Sequence, residues 1–173
     1  LVVASLTGAW FFTRQGETLP RSKRKPFSVQ QFIASSRFIL THPEVMGYTF
    51  AMACIFGAFL AYLSASQTIF QVFYNVGDMF PYIFATLAFS IGLASYFNGK
   101  MVMKFGMRRL CRFALKGANG FACVYLALLL IFDGLPPLWL TVSTMFVGFF
   151  FVGILFGNLN AMAMQPLGEM AGL

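Results

Sequence analysis

The stretch Gly99–Lys116, GKMVMKFGMRRLCRFALK, constrains this chain more than any other. It holds Lys100, Lys104, Arg108, Arg109, Arg112 and Lys116, half of the twelve basic residues, and no acid. Apolar runs lie on both sides, Pro81–Asn98 before it and Phe113–Phe132 after it. A dense cationic turn between two membrane-length apolar runs is the sign of a cytoplasmic loop. Placing that loop inside places every other loop by parity.

Composition agrees with a membrane class. The chain is 59% hydrophobic and only 10% charged, with mean hydropathy +0.77. Soluble domains carry about 25% charged residues, so this chain lacks the polar surface a water-facing globule needs. The apolar runs are continuous and do not alternate in twos, which predicts helices and not a barrel. The net charge of +7 could suit nucleic acid. The basic residues, however, fall in two clusters, Arg14–Arg37 and Lys100–Lys116, each beside apolar runs. That placement fits topology and anionic lipid, and no nucleic-acid partner is expected. Cys54, Cys111 and Cys123 form no CxxC pair, so neither a disulfide framework nor a metal site is expected.

Taken in order, Leu1–Thr13 is too short to span and reads as the end of a transmembrane helix whose start is missing. Arg14–Pro26, with a glycine, two prolines and five basic residues, reads as a loop. In Phe27–Leu40, residues Val29, Phe32, Ile33, Ser36, Ile39 and Leu40 share one helical face, which predicts a short amphipathic helix at the cytoplasmic interface, with a soluble helix against a partner domain as the alternative. Thr41 and Glu44 have capping-box spacing around Pro43, and His42 reads as a surface residue at a helix start more readily than as a proton relay. Residues 14–44 thus form one connecting loop, and residues 45–173 an incomplete bundle.

Four spans are expected: Val45–Thr68, Pro81–Asn98, Phe113–Phe132 and Leu138–Met164. Small residues recur as Ala53, Gly57, Ala61 and Ala65 in the first and as Ala88, Gly92, Ser95 and Gly99 in the second, stripes that let another helix approach closely. Gly153 and Gly157 in the fourth span have GxxxG spacing. Asn158 and Asn160 near its end are costly in lipid, so both should face protein or water. The connections around Asp78 and Asp133 bear an acid and no base, as outside loops should. No catalytic constellation or cofactor motif is visible, and the chain is not expected to be an enzyme or to bind a cofactor.

The basic turn has a specific form. Gly99, Lys104, Gly106, Arg108 and Arg109 match the loop found in each half of major facilitator transporters, with Met103 where that pattern most often has Asp. Gly16-Glu-Thr-Leu-Pro20, Ala61-Tyr-Leu-Ser-Ala-Ser66, and Asn160 followed by Gln165-Pro-Leu-Gly-Glu-Met-Ala-Gly172 carry the likeness along the chain. The sequence resembles drug-efflux transporters of the Bcr/CflA type. The resemblance implies an all-α, twelve-helix membrane bundle, of which this chain supplies the end of helix six, the central cytoplasmic loop and helices seven to ten. It implies proton-driven antiport of drugs or other small molecules across a bacterial inner membrane, with protons, small-molecule substrates, membrane lipids and the missing N-terminal half as partners. It places helices seven and ten on the central cavity. Phe59, Tyr62 and Ser66 on one, and Phe151, Leu155, Asn158 and Met162 on the other, are then the cavity candidates, suited to varied apolar compounds. Two other readings stand beside this: a specific metabolite exporter of the same fold, and a non-transporting membrane scaffold in which these residues only pack helices.

Overall fold

A computed structural model describes residues 2–15 and 28–166. The Gly16–Pro20 segment, most of the Arg14–Pro26 loop and the Gly168–Gly172 segment lie outside the described residues. Six α-helices follow in order: α1 (Val2–Arg14), α2 (Val29–Thr41), α3 (Pro43–Gln67), α4 (Phe80–Phe105), α5 (Met107–Ile131) and α6 (Leu138–Met164). Four helical segments, Pro43–Phe73, Gly77–Phe105, Met107–Ile131 and Leu138–Met164, are long and apolar enough to cross a membrane. The fold class is the expected one, an all-α polytopic membrane helix bundle.

The junction of α2 and α3 corrects the capping assignment. Thr41 is the last residue of α2, its hydroxyl donating back to the Arg37 carbonyl at 2.8 Å. His42 caps α3 instead: its backbone is extended and its Nδ1 accepts from the Val45 amide. Pro43 then occupies the first turn, where a missing N–H removes no helical bond. The exposed apolar residues of α2 include Val29, Phe32, Ile33 and Leu40 from the predicted face.

Sequence places the end of the first span at Thr68, but the helix continues. Thr68–Phe73 forms a wider π-type turn, with the Tyr74 amide bonding the Ile69 carbonyl five residues back. Asn75 and Gly77 take positive φ and turn the chain into α4. The basic stretch is also not an extended loop. Lys100–Phe105 completes α4, Met107–Lys116 opens α5, and Gly106 alone makes the turn at φ +77°. A side chain there would be strained, which is why glycine occupies it. At the opposite end, Asp133 and Gly134 take positive φ and lead through Pro136 and Pro137 into α6.

α6 is the centre of the bundle and packs against α3, α4 and α5. Its seam with α4 brings backbone against backbone. A Cβ at Gly153 would lie 2.7 Å from the Ala94 Cβ and 3.2 Å from the Ile91 carbonyl oxygen. Ser90 donates to the Phe146 carbonyl, and the Asn158 amide donates to Asn98 Oδ1. On the α5 side, glycines sit under rings, Gly148 under Phe121 and Gly117 under Phe151. One apolar cluster at the Gly106 end gathers Leu110, Ala114, Ile154, Leu155, Leu159 and Met162. A second toward the Pro136 end gathers Phe70, Ile83, Leu87, Met145 and Phe149.

The small-residue stripes of α3 and α4 behave differently from the glycines of α6. Ala53, Gly57 and Ala61 are exposed, as are Ala88, Gly92, Ser95 and Gly99. Nothing lies within 4 Å of a Cβ built at Gly57, Gly92 or Gly99. No described helix packs against these three glycines. α3 turns the Ile55, Phe59, Tyr62 and Ser66 side toward the bundle, and α4 buries Ile83, Leu87, Ser90 and Ala94.

Candidate functional site

The contact between α3, α4 and α6 is built from aromatic rings. Phe59 and Tyr62 lie one turn apart on α3, and each meets Phe149 of α6 edge to face, at 6.0 and 4.6 Å between centroids. Phe156, seven residues along α6 and on the same face, meets Phe59 at 5.9 Å and Phe56 at 5.9 Å. Phe84 of α4 lies nearly parallel to Tyr62 at 6.5 Å. Such edge-to-face and offset pairs are favourable beyond their buried area. Between the rings is a pocket of about 120 Å³ lined by Phe59, Tyr62, Leu63, Phe84, Ala88, Ile91 and Phe149.

Tyr62 is the polar centre of this cluster. Its hydroxyl is shut off from solvent and has no hydrogen-bond partner among the described residues. A buried phenol normally finds an acceptor, because an unmet one retains its full desolvation cost. Ser66 one turn on is buried as well, but its hydroxyl is satisfied by the Leu63 carbonyl of its own helix.

The α6 candidates do not join this cluster. Phe151 points at α5, its ring over Gly117 and edge-on to Phe113. Leu155 and Met162 are buried in the apolar cluster at the Gly106 end. Asn158 is buried and bonded both to Asn98 and to the Ile154 carbonyl. Asn160 is exposed. The seven candidates therefore occupy two regions, with Phe59 and Tyr62 at the aromatic pocket, Ser66 one turn beyond it on α3, and the four α6 residues in seams with α4 and α5. Sequence reasoning missed Phe149, Phe156, Phe84 and Asn98. The seven-residue spacing of Phe149 and Phe156 marks a common face, but α6 is apolar all round, so its periodicity does not say which face meets α3.

The loop motif is compact. Gly99 and Lys104 lie on the last turns of α4, Gly106 is the hinge between helices, and Arg108 and Arg109 open α5. Arg108 pairs with Glu44 on the first turn of α3 at 2.8 Å, with both side chains well exposed. Lys104 places its ammonium 5.3 Å over the Phe105 ring. At the far end the Tyr74 hydroxyl donates to the Pro136 carbonyl at 2.7 Å and accepts from the Thr141 hydroxyl at 2.6 Å. Both ends of α3 and its extension are thus tied by polar contacts to the α5–α6 part of the bundle.

Four membrane-length helices packed on one another, with an interior of rings and small residues, define a multi-pass membrane protein. Comparison with known proteins makes the class narrower. The chain is 28% identical to a bicyclomycin resistance protein homolog of Haemophilus influenzae over 99% of its own length, and to an uncharacterized MFS-type transporter, YdgK, of Bacillus subtilis over 92%. It spans about two fifths of the length of these curated relatives, 42% and 39% respectively. The resemblance to major facilitator transporters of the Bcr/CflA type thus runs from one end of the chain to the other. No family model and no solved structure matches it.

Proposed function

We propose that this chain is the middle portion of a proton-coupled exporter of drugs or other small molecules in a bacterial inner membrane. The observation that carries the reading is the end-to-end similarity to a protein named for bicyclomycin resistance. In this reading residues 1–13 end one transmembrane helix, residues 14–44 form the central cytoplasmic loop, and residues 45–173 are an incomplete C-terminal bundle. The two basic clusters face the cytoplasm, as the positive-inside rule requires. The substrate path runs along α3 and α6. Phe59 and Tyr62 offer rings and one unpaired hydroxyl to an apolar compound bearing a hydrogen-bond acceptor. Ser66, Phe151, Leu155, Asn158 and Met162 support that surface from the adjoining seams.

No Asp or Glu lies in the interior of the four spans. The group that takes up and releases the proton is therefore assigned to the remainder of the full-length protein. The test is export by the full-length protein in vesicles carrying a pH gradient, with bicyclomycin and several unrelated compounds. Gradient-dependent movement of more than one compound is expected. Strict transport of a single metabolite would replace this reading with a specific exporter, and transport of nothing would leave a scaffold.

A further inference from the structure

The extension of α3 toward Asp78 is wound differently from the helix before it. Thr68–Phe73 forms a π turn, which fits one residue more into a turn than an α-helix does. Such turns are rare, so a contact has to hold this one in its register. Tyr74 follows it directly, and its hydroxyl donates to the Pro136 carbonyl at 2.7 Å and accepts from Thr141 at 2.6 Å. Both partners are fully buried. Winding Thr68–Phe73 as an ordinary α-helix would carry Tyr74 round by about 100° and off both partners. The slack for that change lies just beyond. Tyr74–Val76 has no regular helix, and Asn75 and Gly77 take positive φ, which Asn and Gly adopt at least cost.

A row of rings leads from this contact to the aromatic pocket. Tyr74 stacks on Phe70 at 6.0 Å between centroids, Phe70 meets Phe80 at 6.4 Å, Phe80 meets Phe84 at 5.9 Å, and Phe84 lies along Tyr62 at 6.5 Å. Every step falls within the favourable range of about 4.5–7 Å. Phe70 belongs to the π turn and is fully buried, while Phe84 and Tyr62 line the pocket. Rewinding the turn moves Phe70 and breaks the row near Tyr74. Displacing Phe84 breaks it at the pocket. One two-state element is thus biased from both ends, which is the physical condition for coupling between them.

We infer that the π turn and Tyr74 form a latch at the outer end of the proposed substrate path, and that the ring row ties its release to occupancy of the aromatic pocket. Latched, the extension of α3 is pinned to the start of α6. Released, the turn relaxes to an α-helix and the outer end of α3 comes away from α6. A compound that pushes Phe84 aside favours release. The inference rests on the transport reading above, which runs the path along α3 and α6.

The test is amide hydrogen exchange of the full-length protein in detergent, read by mass spectrometry on peptides covering Thr68–Met79. Y74F removes both latch bonds, although Thr141 can turn its hydroxyl to a carbonyl of its own helix. Exchange there should rise roughly five- to twenty-five-fold, about fivefold for each bond that is not replaced. F84L, at the pocket, should raise it by roughly two- to tenfold, the weight of one ring pair. Y74F/F84L should show less than the product of the two, because both release the same element. F150L, which removes a ring from the cluster at the Gly106 end, should match the parent. Deleting the exposed Val72 forces the α register, so exchange should be slow and adding Y74F should change nothing. Where the parent exports, the deletion should abolish export while the protein still reaches the membrane. Parent-like exchange in Y74F would overturn the latch, and so would a Y74F effect that survives the deletion. Parent-like exchange in F84L, or an equal rise in F150L, would overturn the coupling to the pocket. Y74F and F84L decide the matter even if the deletion variant does not fold, and exchange is read whether or not the protein moves drugs.

Discussion

Gly153 and Gly157 look equivalent in sequence, yet the structure separates them. A Cβ at Gly157 would lie 3.7 Å from the Asn98 side-chain nitrogen, an ordinary contact. A Cβ at Gly153 would lie 2.7 Å from the Ala94 Cβ and 3.2 Å from a backbone oxygen of α4. Carbon atoms settle at about 3.5–4.0 Å, so Gly153→Ala requires α4 and α6 to part by about 1 Å. Neither obstacle is the tip of a flexible side chain, and the seam is pinned by the Ser90–Phe146 and Asn98–Asn158 bonds. Overpacking of this kind costs about 1–3 kcal/mol, which is a factor of roughly 5 to 150 in the folding equilibrium. The assay is unfolding of the full-length protein in mixed detergent micelles, comparing G153A, G157A and the parent. G153A should unfold earlier by that amount, and G157A should stay within about 0.5 kcal/mol of the parent, as a substitution in open contact does. Equal behaviour of the two variants would refute the seam geometry.

Other outcomes follow from the same contacts. Breaking the Asn98–Asn158 bond in a double-mutant cycle should give a coupling of about 0.6–1.7 kcal/mol, the range for interhelical hydrogen bonds in membranes; a coupling near zero would mean the pair is not formed. Tyr62→Phe removes a buried hydroxyl without a partner, so stability should be unchanged or higher by about 1–3 kcal/mol, while export of acceptor-bearing compounds by the full-length protein should fall. Glu44→Gln breaks an exposed ion pair and should cost no more than about 1 kcal/mol in thermal unfolding. Cysteines placed at Asp78 and Asp133 should react with a membrane-impermeant reagent from outside intact cells, and one at Lys104 should not; the reverse pattern would invert the topology.

The number and order of spans were legible because each is a long apolar run bounded by turn residues. The fourth was placed to the residue, at Leu138–Met164, where Pro137 stops the chain from starting earlier. The rotation of each helix about its own axis was much less legible. In a soluble helix the buried side is the apolar side, but in α3 and α6 the lipid side and the protein side are both apolar. Small residues then mark a close approach without naming the partner. They mark it correctly at Gly153, whereas the Gly57 and Gly92 stripes meet no described helix. Polar residues were better guides: Asn158 is buried in a seam as its chemistry demands, and its acceptor Asn98, at the end of a predicted span, went unremarked. The cap was misassigned to Thr41 because at His42 a ring nitrogen accepting the Val45 amide does the work that a Thr or Asp side chain usually does.

The bundle holds its central helix in two physically different ways. Toward α4, α6 is fixed by a glycine contact and two hydrogen bonds, interactions that weaken within about an ångström of displacement. Toward α3 it is held along its length by rings, Phe149 and Phe156 against Phe56, Phe59 and Tyr62, with no hydrogen bond between the two helices among the described residues. Ring contacts of this type tolerate centroid separations of about 4.5–7 Å. Substitutions should therefore be accepted unequally at the two seams. Phe156→Leu, which keeps an apolar side chain between helices already about 6 Å apart ring to ring, should cost less than about 1.5 kcal/mol, the usual limit for swaps of similar hydrophobic volume. Ala94→Leu, opposite Gly153, meets the tight seam and should lower the yield of folded full-length protein sharply. Comparable losses in detergent unfolding for the two would mean that α6 is held equally on both sides, and that the ring contact with α3 is as position-specific as the glycine seam.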